Sequence, residues 1–322
     1  MDIGWHFQNL LARAGLALVK ASRAYDSYFG HWRGELFNRA EAKGLHVMPA
    51  HYYAPTPTVS RLKSDLWAKR ESLYGLDLKV GDALALLETF KEKYAAEYNN
   101  FPREKLDDRR RFTLANPAYG AGDAELYYAM IRHLKPRRVI EIGCGYSTLA
   151  ASLAIAKNRE ETPDRPCHYV CIEPYLPDYL RPAPDGVSQV IELGVEKVPL
   201  SRFEELSDGD ILFIDSTHVA AIGSDVVYEY LDILPRLQKG VVVHIHDIFL
   251  PLEYPEKWTR EQRYFWNEQY LLQAFLLHND SWEVVMPAHA LYALHDDEMA
   301  KAIPALSMTA HGPANFWMRK TR

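Results

Sequence analysis

Arg138-Val139-Ile140-Glu141-Ile142-Gly143-Cys144-Gly145-Tyr146-Ser147-Thr148 reads as a strand that runs into a bend with two glycines and then into a helix of small residues, Leu149-Ala150-Ala151-Ser152-Leu153-Ala154. Glycine lets a backbone turn tightly and approach a ligand closely. A helix N-terminus offers that ligand unpaired N–H groups. The stretch therefore predicts a strand, a ligand-binding loop and a helix in that order.

Outward from this unit, helical periodicity alternates with short β-branched runs, the pattern of a parallel sheet covered by helices. Strands are expected at 138–142, 168–172, 189–192, 211–214, 241–245, 283–286 and 316–318, with helices at 148–157, 202–206, 224–237, 260–278 and 298–303. Just upstream, Asp123 can cap a helix with the stripe Leu126, Tyr127, Met130, Ile131 and Leu134. Residues before about 110 carry no strong strand signal. Helices are expected there over 10–28, over 33–43 with Gly44 as C-cap, and over 82–98 with Asp82 as cap and Ala83, Leu87, Phe90, Tyr94 and Tyr98 as one stripe. The proline-bearing stretch 51–57 is a loop, and the charged stretch 103–111 a solvated link. The expected division is a helical N-terminal extension, 1–110, and a ligand-binding domain, 111–322.

The chain has 322 residues, 48% of them hydrophobic and 25% charged, which is enough apolar material for a large core. With 37 Lys+Arg against 43 Asp+Glu the net charge is −6, so it lacks the basic field that a nucleic-acid backbone requires. Cys144, Cys167 and Cys171 fit neither a disulfide framework nor a zinc ribbon, and point to the cytoplasm. The apolar stretch 10–19 is interrupted by Arg13 and lacks a basic flank, and no run is long enough for an integral membrane span. A surface helix there that meets a membrane or a partner stays open, and self-association is allowed.

A nicotinamide dinucleotide site would carry a third glycine where Thr148 stands. Instead an acid precedes the first glycine by two residues. This E-x-G-x-G pattern, Glu141 to Gly145, resembles motif I of the class I S-adenosylmethionine-dependent methyltransferases. Cys167-His168-Tyr169-Val170-Cys171-Ile172-Glu173-Pro174 supplies a second acid, Glu173, at the end of strand two, where a ribose would be bound. Val195 and Glu196, after strand three, occupy the region that faces adenine in such proteins.

Strand four reads Ile211-Leu212-Phe213-Ile214-Asp215-Ser216-Thr217-His218 and strand five Val241-Val242-Val243-His244-Ile245-His246-Asp247. In an open parallel sheet, carboxyl strand ends form the ligand crevice, so Asp215, His218, His246 and Asp247 are expected to converge. These segments resemble the F-I-D-G-D-H and H-D-I strand ends of the group that includes macrocin-type sugar O-methyltransferases and cephalosporin hydroxylase-like proteins. Agreement runs from about Phe112 to Met318, and Ser216-Thr217 departs from the group's Gly-Asp. The resemblance implies a Rossmann-like, doubly wound, seven-stranded sheet, mostly parallel with an antiparallel last strand. It implies S-adenosylmethionine as cofactor, cradled by Glu141, Gly143 and Gly145 and bounded by Tyr119, Ser147, Glu173 and Asp215. It also implies O-methylation of a sugar or small-molecule hydroxyl.

Two catalytic devices stay open. Asp215, His246 and Asp247 match positions that hold a divalent metal in some relatives, with imidazole favouring manganese, zinc or iron over magnesium. Alternatively, His218 or His246 acts as a metal-free base beside Asp247. His244, one step deeper on its strand, is expected in the core, and Cys144 is expected to pack. Asn116-Pro117-Ala118-Tyr119 looks like an amino-methyltransferase box but precedes strand one, so Tyr119 and Asp123 are read as the pocket lip. The loop 249–258 is a candidate lid. A nicotinamide-dependent oxidoreductase and a non-catalytic binding module remain the competing readings.

Overall fold

The computed structural model describes residues 13–20, 35–46, 53–68 and 73–322. They belong to two compact units, 1–62 and 63–322. In the first, residues 13–20 are helical and Glu35–Glu41 forms a helix. It ends where Gly44, at φ 74°, donates its N–H to the Glu41 carbonyl at 2.8 Å. The rest of the helix expected over 10–28 lies outside the described residues, as do Arg33, His51 and Tyr52.

The second unit is built on β1 Arg138–Ile142, β2 His168–Ile172, β3 Val187–Ile191, β4 Ile211–Ile214, β5 Val242–Ile245, β6 Trp282–Pro287 and β7 Phe316–Lys320. Their order across the sheet is β3-β2-β1-β4-β5-β7-β6. β7 is antiparallel to both β5 and β6, and the other pairings are parallel. This is the expected mostly parallel seven-stranded α/β sheet. Alternate residues feed two cores: Val139, Tyr169, Phe213 and Trp317 pack on one face, and Ile140, Val170, Leu212 and Val243 on the other. Cover on both faces explains why the central strands read as unbroken apolar runs.

The helix Val80–Tyr98 packs on the helix Asp123–Leu134 through Ala83, Leu87 and Phe90. Asp82 falls inside its first turn rather than at the cap, which Lys79 occupies at φ 52°. Asp123 also differs from its expected capping role. Gly122 is the cap, its N–H bonded by Glu125 Oε2 at 2.7 Å, and Asp123 Oδ1 instead accepts from Ala314 N at 2.8 Å and Asn315 Nδ2 at 2.9 Å.

Two expected helices are broken, each for a local reason. The stretch 224–237 becomes the helix Asp225–Tyr228, a widened turn Glu229–Ile233 and a tight turn Leu234–Arg236, because Pro235 cannot donate to a continuing helix. Residues 260–278 divide into the end of a widened helical turn, Trp258–Gln262, and an α-helix at Glu268–Leu276. Before it, Arg263 turns left-handed, and the amides of Asn267 and Glu268 bond the His218 carbonyl at 3.0 and 3.2 Å.

Candidate active site

The end of β1 is stitched to both neighbouring strands. Gly143 N–H donates to Ile172 O at 3.0 Å, and Asp215 N–H donates to Ile142 O at 2.9 Å. Gly143 sits at φ 82°, and a Cβ there would collide with the Asp215 carbonyl oxygen. Only glycine satisfies both conditions. Gly145 follows in extended backbone and gives its N–H to Thr148 Oγ1 at 3.1 Å at the start of the helix Tyr146–Glu161. Glu173 reaches across from β2 and accepts from Cys144 N at 3.3 Å and Tyr175 N at 2.7 Å. The bend and the strand-two acid therefore form one unit at the carboxyl edge.

Glu141 and Ser147 point the other way, into the core. The Glu141 carboxyl is fully buried and accepts from Ser147 Oγ at 2.6 Å and Thr148 Oγ1 at 2.9 Å, with Tyr169 OH on its second oxygen. It pins the bend from beneath and leaves neither side chain free for a ligand. Burial pushes its pKa up to about 8, against which Ser147 and Thr148 bond only in part. The folded protein thus holds this proton between about pH 4.5 and 8, where the unfolded chain has lost it. Stability is accordingly given up as pH rises through that window. Glu141→Gln is expected to remove the decline, an effect on the order of 4 kcal/mol between pH 4.5 and 8. Urea unfolding of both proteins across that range checks it, and a pH-independent difference would contradict it.

At the ends of β4 and β5 the four predicted residues meet. His246 Nδ1 lies 3.2 Å from Asp215 Oδ1 and 3.7 Å from Asp247 Oδ2. His218 Nε2 lies 3.3 Å from Asp215 Oδ1 and 3.5 Å from Asp247 Oδ2. His218 and Asp247 both hold left-handed backbone, at φ 60° and 54°, a strain that non-glycine residues keep only where the surroundings enforce it. Burial would raise the Asp215 pKa, but the two histidines hold it well below the carboxylate range. Burial also opposes charge on both imidazoles, yet their carboxylate neighbours raise His218 and His246 well above the usual histidine value.

Two acids complete this group that sequence patterning did not single out for it. Glu268, fully buried at the start of its helix, sets Oε2 2.8 Å from His218 Nδ1. Asp123 Oδ2 lies 3.7 Å from His246 Nε2. Its being the one charged residue of the helix Glu268–Leu276 was the available signal for Glu268. Tyr119, expected at the lip, is 1% exposed and lies beneath the group with its ring 4.9 Å from that of His246, because Asn116 folds the preceding turn inward by accepting the Tyr119 N–H at 2.7 Å. His244 is fully buried between Phe213 and Trp317, and burial holds it well below the usual pKa. Cys144 is buried likewise.

A pocket of about 260 Å³ opens against His246 and Asp247, walled by Asn116, Asp123, Phe249, Trp258 and His311. A second cleft of about 460 Å³ shares Asn116 and Pro117 and carries Lys105, Arg109 and Arg111. The loop after β5 forms the first pocket's wall: Phe249 and Tyr254 are buried, and Gln269 bonds Phe249 N at 3.1 Å. Among the described residues, no helix is long and apolar enough to cross a membrane.

Residues 140–248 match a family model described as a methyltransferase domain. A protein from Archaeoglobus fulgidus, described as uncharacterized, is 30% identical over 191 residues, 56% of this chain and 81% of its own length. Similar solved structures include the CmcI apo-structure, at 14% identity and a TM-score of 0.38 over 70% of this chain and 84% of that one. A methyltransferase structure from Thermobifida fusca is 13% identical, with a TM-score of 0.39 over 77% and 97%. A SAM-dependent methyltransferase structure from Archaeoglobus fulgidus is 15% identical, with a TM-score of 0.33 over 62% and 94%.

Proposed function

We propose that this chain, which belongs to the class I S-adenosylmethionine-dependent methyltransferases, methylates a hydroxyl oxygen of a sugar or another small molecule. The observation that carries the reading is a shared edge. The glycine bend with Glu173 and the group Asp215, His218, His246 and Asp247 stand at carboxyl ends of adjacent strands, with a pocket opening on the latter. In this reading the donor lies along Gly143 to Gly145, its ribose toward Glu173, and its methyl group over the end of β4. Glu141, Ser147 and Tyr119 act from beneath by fixing the bend and the floor.

Methyl transfer is an in-line displacement: the acceptor oxygen bonds the methyl carbon as the carbon–sulfur bond breaks, and the hydroxyl proton must leave. Of the four-residue group, His246 and Asp247 line the pocket. The acceptor hydroxyl is therefore placed against them, with Asp247 taking the proton. Asp215 and His218 hold that pair in place, and Glu268 holds His218. The donor set Asp215, His246 and Asp247, with ligand atoms within 4.8 Å of one another, also fits a divalent cation. Such a cation supplies a lowered pKa to a hydroxyl bound beside it. The aromatic wall of Phe249 and Trp258 suits the apolar face of a sugar ring. Three unpaired cysteines suit a reducing compartment such as the cytoplasm.

Label from a methyl-tritiated donor, offered with hydroxylated glycosides and with matched amines, is expected in alkali-stable ethers of the glycosides. Transfer to the amines alone would sink the oxygen assignment.

A further inference from the structure

We infer that the cleft lined by Lys105, Arg109 and Arg111 holds an anionic group of the methyl acceptor, and that the acceptor is a phosphorylated sugar or another phosphate-bearing hydroxyl compound. The inference rests on the proposed methyl transfer and names its substrate class, but anion binding is measured without turnover.

Three observations carry it. The first is position: the cleft, of about 460 Å³, shares Asn116 and Pro117 with the pocket that opens on His246 and Asp247, and Tyr146, which follows the glycine bend, belongs to its wall. One acceptor therefore spans both, its hydroxyl against Asp247 and its far end among the cations. The second is free charge. Among the described residues, no carboxylate lies within ion-pair distance of Lys105, Arg109 or Arg111, whereas the exposed Arg159 and Arg181 pair with Asp185 and Glu192. The one acid in the cleft wall, Asp108, turns its Oδ1 onto the Arg110 N–H at 3.0 Å.

The third is that the cations are held in place. Buried Thr113 shares its hydroxyl proton between the carbonyls of Glu104 at 2.6 Å and Pro102 at 3.0 Å, which closes residues 102–113 into a loop. Phe101 and Phe112, at its two ends, meet edge-on at 5.2 Å. The Arg109 guanidinium lies 4.7 Å over the Tyr179 ring, with Nε 3.4 Å from the hydroxyl of Tyr146, which stacks on Tyr179. Stacked by its face, a guanidinium keeps its outer N–H groups for a fork onto phosphate oxygens. Charge then decides between donor and acceptor. The donor carries a sulfonium, an ammonium and one carboxylate, a net positive charge that three cations repel. A phosphate ester, at about −1.5 to −2 near neutral pH, suits the cleft, and Asp123 and Asp247 repel it from the first pocket.

The test uses the full chain, loaded with S-adenosylhomocysteine and titrated with inorganic pyrophosphate by calorimetry at low salt, where exposed charges are least screened. One saturable site per chain is expected. The double variant Lys105→Gln/Arg111→Gln changes two exposed side chains. It should fold normally, bind pyrophosphate at least about tenfold more weakly and keep its S-adenosylhomocysteine affinity within a few fold. Arg109→Lys, which keeps the charge and loses the fork, should weaken pyrophosphate severalfold. Hexose phosphates should accept tritiated methyl with a kcat/KM roughly tenfold or more above that of the matching methyl hexosides, and the double variant should raise their KM with little change in kcat. Absence of pyrophosphate binding, binding unchanged in the double variant, or equal use of phosphorylated and neutral acceptors overturns the inference. So does a loss of S-adenosylhomocysteine affinity in the double variant, which gives the cations to the donor carboxylate. Cation-dependent pyrophosphate binding without methyl transfer to any acceptor leaves the anion site standing and removes the methyltransferase reading. Transfer confined to neutral acceptors does the reverse.

Discussion

Gly143→Ala is expected to abolish measurable binding of S-adenosylhomocysteine, and to lower stability as well. At φ 82° the alanine side chain costs about 1–2 kcal/mol before any contact is considered. Its Cβ would also occupy the space of the Asp215 carbonyl oxygen. That oxygen is backbone in the junction of β1 and β4, held by Asp215 N–H on Ile142 O. Relief therefore means pulling β4 away from β1, which shifts Asp215 and the bend together. Gly145 lies in extended backbone, where an added methyl group would meet the Tyr179 hydroxyl at an ordinary contact distance of 3.5 Å, and should tolerate the same change far better. Calorimetric titration of both variants checks the contrast. Equal, near-native affinity would remove the bend from the donor site.

Asp247→Asn is expected to lower kcat at least a hundredfold while leaving donor affinity within a few fold. General bases contribute about 10²–10⁴ in rate, and the change also removes a charge from the proposed cation site. Asparagine keeps the shape and accepts the left-handed backbone that Asp247 requires, so a folding defect is not expected. Asp247 lies on the pocket side of the group, whereas the donor contacts are placed at β1 and β2. Single-turnover kinetics with a methylatable glycoside and donor titration of the same sample separate the two effects. A variant with normal turnover would exclude Asp247 as proton acceptor.

What the sequence revealed was set by backbone physics. The two glycines announce the bend because no other residue survives its torsion and close approach, and the strand-end acids follow from the direction of parallel strands. Glu141 illustrates the limit. Its alternation with Ile140 and Ile142 puts it on the face of Phe213 and His244, yet the motif suggested a ligand contact, while the fold spends it on Ser147 and Thr148. Tyr119 is similar: a lip residue by pattern, a floor residue by packing.

Glu268 and Asp123 were illegible as members of the group because their roles depend on partners 50 and more residues away. Glu268 reaches His218 only because the chain before it abandons the helix and bonds the His218 carbonyl with two amides. Asp123 read as a helix cap and a lip residue; it does line the pocket, but the cap is a glycine and its other carboxylate oxygen serves Ala314 and Asn315 beside β7. Long-range pairing of this kind leaves no periodic trace.

Direct titration of the native protein with S-adenosylhomocysteine, and separately with NADH, by isothermal calorimetry bears on all of this at once. One S-adenosylhomocysteine per chain is predicted, with the heat lost in Glu173→Ala and no heat from NADH. Saturable NADH binding with none of S-adenosylhomocysteine would contradict the assignment of this sheet edge to a sulfonium donor.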